Sequence, residues 1–120
     1  MLMYSLRNAS QLLKVLAEEN RLRILNLLHK REMNVAELCE IIGSTQSNIS
    51  KHLAKLRLTG FVADRRDEQY IYYRLSTPSS GFHRDLVDCI IQGLSQSEIF
   101  EADSDALETL DTTNTSEQRY

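Results

Sequence analysis

Apolar residues recur at three- and four-residue steps through Leu6, Ala9, Leu13 and Leu16, with Leu12 beside them, which predicts a helix over residues 5–18. Asn20 can cap a second helix, Arg21 to about His29. Its Leu22, Ile24, Leu25, Leu27 and Leu28 wrap most of the circumference, and such a helix belongs inside a core. In NVAELCEIIG, Asn34 followed three residues later by Glu37 has the form of a capping box, and Gly43 is a C-terminal stop. A short third helix is predicted between them.

STQSNISKHLAKLRLTG, residues 44–60, follows. Thr45 or Ser44 can cap it. At roughly 100° per residue, Ile49, Leu53 and Leu56 share one narrow sector, while Ser47, Lys51 and Lys55 lie opposite. Gln46, Ser47 and Asn48 occupy the first turn. After Gly60 the period changes to two: FVADRR and YIYYRL are strand-like, joined by a turn at DEQ. Ile71, Tyr73 and Leu75 share one face of the second strand; Tyr70, Tyr72 and Arg74 share the other. STPSSG breaks the chain, and a last helix begins near Gly81 with Phe82, Leu86, Cys89, Ile90, Gly93 and Leu94 as its apolar stripe. Beyond Ser97 the chain is acidic and rich in Ser and Thr. DALETL has the makings of a helical turn, but DTTNTSEQRY reads as disordered.

The expected fold is therefore mainly α with a small β-hairpin, in the order α-α-α-α-β-β-α: a winged helix-turn-helix. The domain spans 1–97, and 98–120 forms an acidic, disordered tail. This order explains the polar nose of the fourth helix. The second helix of a helix-turn-helix lies in the DNA major groove with its N-terminal residues at base edges. Gln46 suits adenine, Ser47, Asn48 and Ser50 suit bases or phosphates, and Lys51 and Lys55 suit phosphates. The hairpin with Arg65, Arg66 and Tyr70 would be the wing. Taken alone, the helix can also be read as a capped surface helix with solvated lysines, the weaker of the two readings; the hairpin that follows favours DNA further.

The chain has 120 residues, 42% hydrophobic, with a net charge of −3. That sign looks wrong for a nucleic-acid binder, but its distribution is uneven. Residues 98–120 carry seven carboxylates against Arg119, a net −6, which leaves +3 on the preceding 97 residues. Residues 44–76 hold six Lys or Arg against three acids. No apolar run reaches the roughly 18 residues of a membrane span. The start has no apolar signal-peptide core. The two cysteines, 50 positions apart and outside any CxxC pair, suit a reducing cytoplasm. No nucleophile–base pairing or Gly-rich phosphate loop speaks for an enzyme.

LAEENRLRILNLL, VAELCEIIGSTQSNISKHLAKLRLTGFV and YIYYRL, together and in order, closely resemble the ArsR/SmtB family of bacterial and archaeal winged-helix repressors. The resemblance covers about residues 10–95. It implies a homodimer built on the first and last helices, bound to a double-stranded operator and released when a ligand or oxidation alters the dimer. It matches Gln46, Ser47, Asn48, Ser50 and Lys51, behind the Thr45 cap, to DNA-facing positions. Two departures stand out. The wing tip, commonly glycine-containing in the family, is Asp67, Glu68 and Gln69. The positions of an arsenic-type Cys-x-Cys pair hold Asn34 and Ala36, so only Cys39 remains there.

A zinc-type site in the last helix would have His83, Asp85 and Asp88 near its start but no matching pair at its other end. Acids at a helix start more commonly form a solvated first turn. No cofactor is called for, and a metal or metalloid inducer stays open. Cys39 and Cys89 are the candidate sensor thiols, with small buried hydrophobes as the plainer reading of both. The competing functional class is a winged helix whose recognition face binds another protein.

Overall fold

A computed structural model describes residues 5–76 and 81–117, with side chains through Thr113 in the second segment. The elements are α1 (Leu6–Leu16), α2 (Glu19–Lys30), β1 (Met33–Asn34), α3 (Val35–Ile42), α4 (Gln46–Leu58), β2 (Val62–Asp67), β3 (Tyr70–Leu75), α5 (Gly81–Gly93) and α6 (Glu98–Glu117). The predicted break at STPSSG falls on residues 77–80, outside the described residues.

α2 is the hub. Ile24, Leu25 and Leu27 have no exposed surface, and neither do Leu38 of α3 or Ile49, Leu53 and Leu56 of α4. The all-round apolar pattern of α2 therefore meets neighbours on several sides, as predicted. Its start differs from the prediction. Glu18, not Asn20, is the N-cap, accepting from the backbone N–H groups of Asn20 and Arg21. An acid there also favours the helix N-terminus electrostatically. The capping box of α3 is present in both directions, and Gly43 closes the helix at φ 80°.

The sheet has three strands rather than two, antiparallel in the order β1-β3-β2. β1 is only Met33 and Asn34, paired with Tyr73 and Tyr72, and its anchor is the fully buried Met33. A two-residue strand has no periodicity to read. In the hairpin Asp67 pairs with Tyr70, so Glu68 and Gln69 alone make the turn. Glu68 takes φ 57°, a conformation that two-residue hairpin turns usually give to Asn, Asp or Gly.

The largest correction concerns residues 98–120. Residues 98–117 form a 20-residue helix, not a disordered tail, and Leu107 belongs to the same core as α2 and α4. Phe100 and Leu107 are each 4% exposed, and Asp103 between them is 2% exposed. Asp103 meets Arg23 of α2, and Asp111 meets Arg31 just past the end of α2. Two of the seven carboxylates that suggested a solvated tail are thus neutralised from within the fold. The expected boundary after residue 97 disappears with it; residues 118–120 lie outside the described residues.

In α1, Leu12 and Leu16 turn inward. Leu6 and Leu13, expected on the same stripe, are 91% and 51% exposed. In α5, Leu86, Val87 and Ile90 pack on the core, whereas Phe82 and Cys89 stay exposed.

Candidate nucleic-acid interface

Thr45 starts α4. Its hydroxyl accepts from the Asn48 N–H at 3.1 Å, and no acid occupies the first turn. With Ile49, Leu53 and Leu56 sealed in the core, the register of the helix is set. Gln46, Ser47, Asn48, Ser50, Lys51 and Lys55 are all exposed. None of their side chains has a hydrogen bond or ion pair among the described residues. The result is a positive helix N-terminus with unspent donors and acceptors, flanked by two lysines.

Both ends of α4 are tied to the body. At the N-terminal half, His52 Nδ1 accepts from Arg21 Nε at 3.1 Å and lies 3.4 Å from a Glu18 oxygen. Burial holds the His52 pKa below its ordinary value, with Glu18 opposing and Arg21 and Lys55 assisting. The cap of α2 and the polar helix are thereby joined. At the C-terminal end, Gly60 turns the chain at φ 83°, and the Phe61 N–H bonds to Leu56 O at 2.9 Å.

His83 of α5 packs on this exit. It donates from Nε2 to Thr59 O at 2.6 Å and stacks 4.7 Å from the Phe61 ring. This overturns its place in a metal site beside Asp85 and Asp88. His83 is 8% exposed and bonded to backbone, while the two acids face solvent. No group of three or more His, Cys, Asp or Glu able to hold a metal occurs among the described residues. Nor do the residues fit an arsenic-type site: the Asn34 side chain is consumed by the α3 capping box, and Ala36 offers no ligand.

The wing separates the two candidate arginines. Arg65 grips Glu32, with Nε 3.0 Å from each carboxylate oxygen and Nη2 2.8 Å from Oε1. It also stacks 4.8 Å over the Tyr72 ring. The Arg65 guanidinium holds the Glu32 carboxyl below its ordinary range. Arg66, on the opposite face of β2, is exposed and has no ion pair among the described residues. Tyr70, at the tip, is half exposed. Of the two candidate arginines, only Arg66 presents an uncommitted charge.

The candidate thiols lie on different elements. Cys39 packs against the core from α3, and burial raises its pKa. Cys89 is exposed on α5, against the buried reading. The sequence reading missed Glu18, Glu32 and Arg31. Arg31 Nη2 lies 2.8 Å from both Glu37 of the α3 capping box and Asp111 of α6. The only signal for these pairs was an unremarkable surface charge.

A helix-turn-helix with an uncommitted polar N-terminus, followed by a β-hairpin that presents Arg66, defines a winged helix-turn-helix DNA-binding regulator. A model of the family described as "Bacterial regulatory protein, arsR family" matches residues 18–64. The chain is 39% identical over 79 residues to the arsenical resistance operon repressor of Escherichia coli, covering 65% of this chain and 68% of that protein. It is 41% identical over 100 residues to the nodulation protein NolR of Rhizobium meliloti, covering 83% and 75%. The homodimeric winged helix-turn-helix DNA-binding domain Mb0332 of Mycobacterium bovis superposes with a TM-score of 0.62 at 26% identity, covering 82% of this chain and 93% of that one. The chain belongs to the ArsR family and is a DNA-binding transcriptional regulator, not an enzyme.

Proposed function

We propose that this regulator is a homodimeric repressor that holds a double-stranded operator through the nose of α4 and leaves it when an inducer binds. The observation that carries the reading is the contrast within α4. Ile49, Leu53 and Leu56 are fully buried, while Gln46, Ser47, Asn48, Ser50 and Lys51 stand exposed and unpaired. Gln46, Ser47, Asn48 and Ser50 read base edges. Lys51, Lys55 and Arg66 neutralise phosphates, and Tyr70 reaches the backbone from the wing. Arg65 positions the wing through Glu32.

Dimerisation uses α1 and α5. The exposed Leu6 and Leu13, with Phe82, are apolar surface that a lone small domain leaves uncovered. The Mycobacterium bovis domain, described as homodimeric, supports a dimer. A metal or metalloid inducer is suggested by the name of the Escherichia coli relative. The side chains here fit neither an arsenic-type cysteine pair nor a zinc-type set, so this reading routes no metal through them. Among the described residues no helix is long and apolar enough to cross a membrane. The protein acts in the cytoplasm, where its DNA lies.

Electrophoretic mobility shift with the DNA upstream of the protein's own gene tests the reading. A discrete complex that resists excess random DNA is expected. Equal competition by random and upstream DNA overturns it in favour of a protein-binding winged helix.

A further inference from the structure

A cavity of about 460 Å³ opens where the first turns of α2 meet the end of α5 and the start of α6. It falls in the range of small-molecule sites, roughly 300–1,000 Å³. Leu22, Leu94, Ile99 and Phe100 line it with apolar surface. Phe100 is 4% exposed and forms part of the packed wall, while Leu94 and Ile99 keep 37% and 46% of their surface open. Glu19 and Glu98 also line it, and neither has an ion pair among the described residues. The one cation of the lining, Arg23, is already matched by Asp103 through two hydrogen bonds of 2.9 and 2.8 Å. The cavity therefore combines apolar walls with two exposed carboxylates against one cation, Arg23, which Asp103 binds and Glu19 also attracts.

We infer that this cavity binds a small organic cation, an ammonium on an aromatic or aliphatic body, and that its occupation is transmitted to α4; the transmission rests on the regulator reading above. Charge selects the class. An anion meets two carboxylates, and a neutral apolar body strips water from them without replacing its hydrogen bonds. The cation satisfies them while its body fills the apolar walls. Transmission follows from α2. Glu19, Leu22 and Arg23 line the cavity, and Glu18 and Arg21 of the same two turns hold His52 of α4. A ligand that shifts these turns, or lifts α6 from them, shifts the helix that carries the exposed polar nose.

Equilibrium dialysis of the full chain against naphthalen-1-ylmethylammonium, naphthalen-1-ylmethanol and naphthalen-1-ylacetate tests the site. The ammonium should bind about tenfold more tightly than the alcohol, and the carboxylate least. Glu19→Gln with Glu98→Gln should erase that preference. Ile99→Trp, at an exposed position where folding tolerates it, should block all three. Equal binding of the three probes, no binding of any, or binding unaffected by Ile99→Trp overturns the site; a partner copy filling the cavity in the dimer would appear as no binding. Mobility shift with and without the ammonium tests transmission, which is overturned if operator affinity is unchanged at saturating probe. Operator binding without ammonium binding refutes the cavity and spares the regulator. Ammonium binding with the stated preference, but no operator binding, does the reverse.

Discussion

Asp103 of α6 and Arg23 of α2, 80 residues apart, join through two hydrogen bonds: Nε to Oδ2 at 2.9 Å and Nη2 to Oδ1 at 2.8 Å. The Asp103 side chain is 3% exposed and that of Arg23 20%. Removing one partner strands the other charge. Asp103→Ala should therefore cost about 3 kcal/mol, whereas Arg23→Met with Asp103→Leu, which removes both charges, should stay much closer to the wild type. Urea denaturation decides it. A loss under about 0.5 kcal/mol for Asp103→Ala would reduce the contact to a surface pair.

Truncation before Glu98 should destabilise the protein. Phe100 and Leu107 leave the core with α6, each contributing roughly 1.5–3 kcal/mol of burial. A truncated chain that melts at the wild-type temperature would restore the tail as a dispensable appendage.

On α4, Gln46→Ala should weaken binding to the operator by about 1–3 kcal/mol and relax preference at one base pair. Lys51→Ala should weaken binding to every sequence and make the salt dependence shallower by about one unit of slope. Equal losses on operator and random DNA from both variants would remove α4 from base reading.

Glu32→Ala should tighten binding to DNA of any sequence. The substitution deletes a negative charge and releases Arg65 from its 2.8 Å contact, leaving only the longer 3.6 Å contact with Asp67. One more phosphate contact steepens the salt slope by about 0.9. Arg66→Ala should act in the opposite direction. Salt titrations of the two variants check this; no change in slope for Glu32→Ala would mean that the freed arginine does not reach phosphate.

His52 makes stability pH-dependent. Its pKa in the fold is held below the ordinary 6.5 by burial. Below that ordinary value the unfolded chain takes up the proton more readily than the fold does. The contribution is therefore complete above about pH 6.5 and is lost as pH falls through the lowered folded value. His52→Asn should flatten the stability profile between about pH 7 and 5. Parallel thermal melts of wild type and variant across that window provide the comparison, and identical slopes would assign the pH dependence elsewhere.

What was legible in the chain follows a physical division. Helix periodicity, the Asn34–Glu37 capping box, the Thr45 cap and the Gly43 and Gly60 stops depend on neighbours within about five residues. They located α1 to α5, the hairpin and the exposed nose of α4. The inward face of α6 reads Phe100, Asp103, Leu107 and Asp111, half of it acidic. An acid is assigned to solvent unless its partner is known, and the partners Arg23 and Arg31 stand 80 positions away. The same distance problem separated Arg65, 33 residues from Glu32, from the uncommitted Arg66 beside it. It also hid β1, whose two residues become a strand only against Tyr72 and Tyr73. Local backbone preference and apolar spacing are carried by adjacent residues, so composition order suffices for them. The pairing of charges across the core, and the cavity between α2, α5 and α6, exist only once distant segments meet, because burial is what turns a soluble charge into one that must find its opposite.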